Sequence, residues 1–295
     1  MIGRKALGKK TALPEPVRDV YVWLNRNVGR VDPRPRVLPN FYLVGTQRGG
    51  STSLFIYLLG HDLVQGPRRA KGVHYYDTNF DQSLSWYRSN FPLQSTIDAQ
   101  RREHGATPAV GEGAPYYLFH PTIPQRIHEV TPEARIIAVL REPLARAISH
   151  HNHEVARDNE TLPLLEALEA EQGRLAGEEE RIIADPTYIS KPHIFHGYVA
   201  RGQYADQVQR YFDLFGRDQV LILDSAKLKS ETEATVRKAT DFLGLPPLVG
   251  GSFPEYNKRV HDPVDESIRE AYGHRFDESN QRLREMLEPG TLSWL

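Results

Sequence analysis

The chain has 295 residues, 39% hydrophobic and 25% charged, enough for a sizeable core in one large α/β domain or two small ones. A formal net charge of -1 gives no overall field toward nucleic acid, so no nucleic-acid partner is expected. Cysteine is absent, which excludes a disulfide framework and thiolate metal sites and fits a reducing, cytoplasmic setting.

No run of 18 apolar residues suggests a membrane span, and the N-terminus lacks the apolar stretch of a secretory signal. Residues 1–37 read instead as a basic arm. Nine Lys/Arg face three acids up to Arg36. Within the arm, Val17–Leu24 has the pattern of a short amphipathic helix. It fits a solvated arm that packs an aromatic onto the main domain, or docking to an anionic membrane or acceptor carrier. Residues 38–295 are expected to form one domain.

Past Arg34–Pro39, which reads as a linker, Phe41–Val44 is a short apolar run of strand type. It ends in GTQRGGSTS at Gly45–Ser53, and Leu54 opens a helix. Strand, Gly/Ser/Thr-rich loop and helix are the arrangement that binds phosphates. Gly49 and Gly50 let backbone N–H groups approach, Ser51, Thr52 and Ser53 add hydroxyls, and Arg48 adds fixed charge. An ATP-type loop would carry a lysine directly after its last glycine, where Ser51 stands here. A nucleotide without a γ-phosphate therefore suits the loop better than a triphosphate, although such a turn can also be purely structural.

Arg135–Leu140 reads as a buried strand, followed by a helix from Pro143. Arg141 stands at the strand's carboxyl end, where α/β sheets bind ligands, and can grip a phosphate with two parallel bonds. Ser149 lies two turns along the helix and can face the same phosphate. A surface Arg and a Ser bonded to its own helix fit the same pattern. Glu166–Arg181 is acidic and reads as an exposed helix or lid. Tyr204–Phe215 shows a helical apolar stripe at Val208, Tyr211, Phe212 and Phe215, and Gln219–Leu223 is a third buried strand. Short apolar strands between helices predict an α/β fold: a central parallel sheet flanked by helices. Consecutive histidines at His150, His151 and His153 point in different directions on a helix, so no metal site is expected.

Two of these segments resemble the nucleotide motifs of sulfotransferases that use 3′-phosphoadenylyl sulfate (PAPS). TQRGGSTSL at Thr46–Leu54 is similar to their 5′-phosphosulfate loop, and LREPLARAIS at Leu140–Ser149 to their 3′-phosphate motif. KGVHYYD at Lys71–Asp77 resembles the substrate-cleft strand of the heparan sulfate glucosaminyl sulfotransferase branch. EGAPYYL at Glu112–Leu118, DFLGL at Asp241–Leu245 and NKRVH at Asn257–His261 resemble its second cleft segment, late helix end and closing basic loop. The resemblance covers roughly Leu38 to Trp294. It implies a P-loop-like nucleotide-binding fold with PAPS as co-substrate, its product adenosine 3′,5′-bisphosphate (PAP), and no metal. It also implies Arg48–Ser53 at the phosphosulfate, and Arg141, Ser149, Lys258 and Arg259 at the 3′-phosphate. Tyr75, Tyr76, Tyr116 and Tyr117 would line the cleft.

Three positions depart from that branch. Its loop lysine is Arg48 here, which keeps charge but not point geometry. Its catalytic glutamate is Gly72, and its substrate-contacting lysine is Gly113. Losing a carboxylate and a cation from one cleft points to a different acceptor: a carbohydrate, glycolipid or other hydroxyl or amine. For the base, His74 suits neutral pH, with Asp77 orienting it if the segment bends. Glu112 is the second choice, or holds His74. Lys71 or Arg48 would stabilise the leaving oxygen. Two other classes fit the loop: a P-loop kinase, and a PAP-binding scaffold without activity.

Overall fold

The structure, a computed structural model, describes residues 33–68, 71–248, 253–254 and 266–295. The N-terminal stretch with the Val17–Leu24 pattern, and the basic pair Lys258 and Arg259, lie outside the described residues. Five parallel strands form one sheet: β1 (Phe41–Gly45), β2 (Val64–Gln65), β3 (Ala109–Gly113), β4 (Arg135–Leu140) and β5 (Val220–Asp224). Their order is β2-β3-β1-β4-β5, so β1 is central. It pairs with β3 through Leu43 and Gly113, and with β4 through Gly45 and Ala138.

Alternation along the central strands divides the core. Phe41, Leu43, Ile137 and Val139 face one side, where they pack with Leu54, Phe55 and Leu58 of the Ser51–Leu58 helix and Val236 and Ala239 of the Thr232–Phe242 helix. Tyr42, Val44, Ile136, Ala138 and Leu140 face the other side. There they meet Ile123 and Ile127, Val208 and Tyr211, and Leu283, from the helices Ile123–Val130, Tyr204–Phe215 and Asp277–Met286. Burial on both faces explains why β1, β4 and β5 are continuous apolar runs. Each fully buried aliphatic or aromatic side chain contributes about 1.5–3 kcal/mol.

The linker is fixed to the sheet domain. Val37 N–H donates to the Pro92 carbonyl, and Gln94 N–H to the Pro35 carbonyl. The Glu166–Arg181 stretch forms two helices, Leu164–Leu175 and Glu178–Ala184. It is less exposed than its composition suggests, because Glu171 and Glu178 are buried. Glu171 accepts from the Val199 and Ala200 N–H groups, and Glu178 from the Tyr188 and Ser190 hydroxyls.

Candidate active site

Three neighbouring strands end on one side of the sheet. Their carboxyl ends carry the Gly45–Ser53 loop after β1, Arg141 after β4, and Glu112 at the end of β3. Sheet order alone therefore gathers segments far apart in sequence at the crevice where α/β folds bind ligands.

The loop is held by close approach of main chain. A Cβ on Gly49 would lie 2.5 Å from the Val139 carbonyl oxygen, so β4 leaves room only for glycine. Gly50 has φ 97°, the left-handed region that glycine occupies without cost, and forms the N-cap of the Ser51–Leu58 helix. The first N–H groups of that helix, at Ser51 to Ser53, have no intrahelical acceptor, and the helix dipole adds partial positive charge.

Arg48 is also left-handed, at φ 68°. That turn sends its side chain to the Pro143–Val155 helix, where Nε donates to Ser149 Oγ at 3.0 Å. The Arg48 carbonyl accepts from Arg141 Nη1 at 3.3 Å. Arg141's own carbonyl accepts from the Tyr204 hydroxyl at 2.9 Å. The helix is capped by Glu142, whose carboxylate accepts from Leu144 and Ala145 N–H. Such a cap contributes about 1 kcal/mol. Arg48, Arg141 and Ser149 thus form one cluster.

On the other side, Lys71–Asp77 is not a strand. Its first residues are irregular and pass into a turn that begins at Tyr75. The cause is His74, at φ 57°, which breaks the alternation of an extended chain. The bend brings His74 Nδ1 to 2.8 Å from Asp77 Oδ2. The imidazole stays 45% exposed while the Asp77 side chain is 2% exposed. With Nδ1 on the carboxylate, Nε2 is the nitrogen left for another group. Desolvation alone would lower the His74 pKa, but the hydrogen bond and charge of Asp77, with the charge of Glu112, outweigh it and leave it above the ordinary value.

Glu112 is fully buried. Oε2 accepts from Val73 N–H at 3.0 Å, and Oε1 from the Tyr117 hydroxyl at 2.8 Å. Burial pushes its pKa up to about 7, against the pull of those two bonds. It grips the backbone just before His74.

Lys71 reaches out of this segment to the loop. Nζ donates to Ser51 Oγ at 2.9 Å and lies 3.4 Å from Thr52 Oγ1. Desolvation lowers its pKa to about 7. Its carbonyl accepts from Gly113 N–H at 2.8 Å, which lays the segment against the end of β3. A Cβ on Gly113 would sit 2.4 Å from Lys71 Cε, and one on Gly72 would sit 2.8 Å from the Gly113 carbonyl oxygen. The two glycine departures are therefore one feature: they let Lys71 lie flat across β3 toward the loop.

The tyrosines do not offer open ring faces. Tyr76 and Tyr117 are fully buried, and Tyr75 and Tyr116 nearly so. Tyr75 stacks on Tyr87 at 4.5 Å between centroids, and Tyr76 packs edge-on against Tyr42, Tyr87 and Tyr117. Tyr75, Tyr76 and Tyr117 form the wall behind His74, and Tyr116 packs against His193 instead. Of the histidine triplet, His150 is buried 3.3 Å from Glu154, and His151 contacts the Leu162 carbonyl. Among the described residues, no group of three His, Cys, Asp or Glu is arranged to hold a metal ion. No described helix is long and apolar enough to cross a membrane.

Contacts that span the chain escaped the sequence reading. Gln47 donates Nε2 to Glu154 Oε1 at 3.1 Å and accepts from Arg201 Nη1. No local pattern marks Arg201 as a neighbour of the loop.

Comparison with known proteins agrees with this geometry. The family model described as a sulfotransferase domain matches residues 38–270. The membrane-associated sulfotransferase kil1 of Dictyostelium discoideum is 22% identical over 85% of this chain and 65% of its own length. A bifunctional heparan sulfate N-deacetylase/N-sulfotransferase 1 of Caenorhabditis elegans is 23% identical over 85% of this chain and 28% of its own. Human heparan sulfate glucosamine 3-O-sulfotransferase 3A1 is 26% identical over 77% of this chain and 50% of its own. The chain thus spans less than two thirds of each of these relatives. Among solved structures, a sulfotransferase from Alicyclobacillus acidocaldarius is 28% identical with a TM-score of 0.59, over 85% of this chain and 96% of that one.

Proposed function

The chain belongs to the sulfotransferase domain family and has its P-loop-like α/β fold, and from that premise we propose that it moves the sulfuryl group of PAPS to a hydroxyl or amine of a carbohydrate or glycolipid-like acceptor. The observation that carries the donor half is the Arg48–Ser149–Arg141 cluster beside the glycine loop. Cations, hydroxyls and helix N–H groups converge there, which suits a nucleotide carrying phosphates at two positions. The acceptor half takes its support from the heparan sulfate enzymes among the relatives.

Transfer breaks the bond between sulfur and the bridging phosphate oxygen and forms one between sulfur and the acceptor oxygen or nitrogen. His74 Nε2 takes the acceptor's proton, and Asp77 holds the tautomer that leaves Nε2 free and stabilises the imidazolium formed. Glu112 acts as a positioning residue, because both its oxygens are engaged and it is closed to the cleft. Lys71 and Arg48 place positive charge at the leaving phosphate oxygen. With charge supplied by side chains, the protein's part is alignment and electrostatics, by analogy with phosphoryl transfer.

Calorimetric titration with PAP, run beside ATP–Mg²⁺, tests the donor site. Dissociation constants of about micromolar or tighter for PAP, lost in Arg141→Ala, with ATP silent, are expected. ATP binding as tight as PAP, or no PAP binding, would return the protein to the kinase or scaffold class.

A further inference from the structure

Behind the phosphate loop lies a buried charge network that the proposed chemistry does not use. Arg201 is 2% exposed and, among the described residues, has no carboxylate in contact. Its guanidinium donates to Gln47 Oε1 and to the His193 and Ile194 carbonyls, and lies over the rings of Tyr116 and Phe119. Glu154, also 2% exposed, receives Gln47 Nε2 on one oxygen and Asn159 Nδ2 on the other. A buried cation and a buried anion are thus joined through a single amide. Each end of that amide has its own charged partner, so it has one orientation.

The relay sits directly before Arg48. Gln47 and Arg48 grip the same helix at Glu154 and Ser149. Arg48 has a left-handed backbone, which a non-glycine residue keeps only where its surroundings impose it. We propose that the Arg201–Gln47–Glu154 relay is a positioning device for the donor site: it pins Gln47 and so holds Arg48 in the turn that directs its guanidinium to Ser149 and its carbonyl to Arg141. This rests on the donor site proposed above. Its substrate-side effect is on the phosphate-bearing nucleotide, not on the acceptor.

The test is PAP affinity measured by calorimetry, with thermal unfolding alongside. Gln47→Glu keeps a partner for Arg201 but turns a second carboxylate on Glu154. It is expected to weaken PAP binding by about tenfold or more, as coupled neighbours do. The exchange variant Gln47→Glu with Glu154→Gln rebuilds the relay with the same charges, and affinity is expected to return to within about threefold of the wild type. Gln47→Met fills the space without either bond and is expected to lose affinity as Gln47→Glu does. In an Arg48→Ala background none of these changes should weaken PAP further, although unfolding temperatures still shift. Wild-type affinity in folded Gln47→Met, or losses that add fully to Arg48→Ala, would overturn the positioning role while leaving the donor site intact. Failure of the wild type to bind PAP would overturn both.

Discussion

On the β1–β4 side of the cleft, anion-binding groups are placed by main chain. Gly49 fits under a β4 carbonyl, Gly50 turns left-handed, and Arg48 and Arg141 share a backbone contact. On the β3 side, the groups are placed by side chains. Asp77 holds His74, Glu112 holds the Val73 backbone, and a packed layer of tyrosines backs them. The difference separates a generic task from a particular one. A nucleotide phosphate looks the same to every enzyme that uses it, so a backbone cradle can be fixed. An acceptor is set by a few side chains, which can be exchanged without disturbing a cradle built from main chain.

This division predicts that variants on one side spare the other. His74→Ala should lower transfer to any acceptor found in a PAPS screen by about 10²–10⁴-fold while PAP titrates as in the wild type. Parallel loss of PAP binding would move His74 to the donor side. Asp77→Asn should cut the rate less and move the acid limb of the pH–rate profile. The raised His74 pKa keeps the base protonated, hence inactive, up to a higher pH. Removing the carboxylate lowers that pKa, so the limb shifts to lower pH. A limb that stays in place would exclude His74 as the titrating base.

Lys71 crosses the divide, and pH reveals it. Its ammonium is charged below about 7, so PAP affinity should fall as pH rises through that value, and binding near neutrality should take up a proton. Calorimetry in buffers of different ionisation heat measures the uptake. Gly113→Ala, which displaces Lys71, should weaken PAP about tenfold and flatten this pH dependence, with no added loss in Lys71→Ala. A pH-independent affinity in the wild type would place Lys71 outside the donor site.

The smallest effect concerns stability. The folded-state pKa of Glu112 is raised to about 7, so its contribution is full below the ordinary value of 4.5 and is lost as pH rises through about 7. Glu112→Gln can still accept from Val73 and can donate to Tyr117. It should therefore flatten the unfolding temperature across that window and leave it equal or higher at pH 8. A steep loss at pH 8 would mean the ionised carboxylate is itself stabilising.

How much of this was legible follows the same boundary. β1, β4 and β5 were readable because strands buried on both faces are apolar runs, and the β4 bounds match residue for residue. The loop and Arg141 were readable because their chemistry is contiguous. β3 was not: Ala109–Gly113 is AVGEG, with two glycines and a glutamate. Gly111 is there because a Cβ would strike the Phe41 ring, a constraint from another strand. Reading Lys71–Asp77 as a strand failed because nothing local announces that His74 turns left-handed. The resemblance implied that the tyrosines line the cleft, whereas their depth depends on Tyr42 and Tyr87, which the motif does not contain.

The position of β1 also bears on how the chain is made. Phe41 precedes both its partners, Gly111 on one side and Arg135 on the other, by 70 residues or more. During synthesis the central strand leaves the ribosome with both edges bare, and it waits for β3 and then β4. Such non-local pairing slows folding and exposes sticky edges meanwhile. Yield of soluble protein should therefore depend on chaperone supply and on growth temperature more than the stability of the finished fold would suggest.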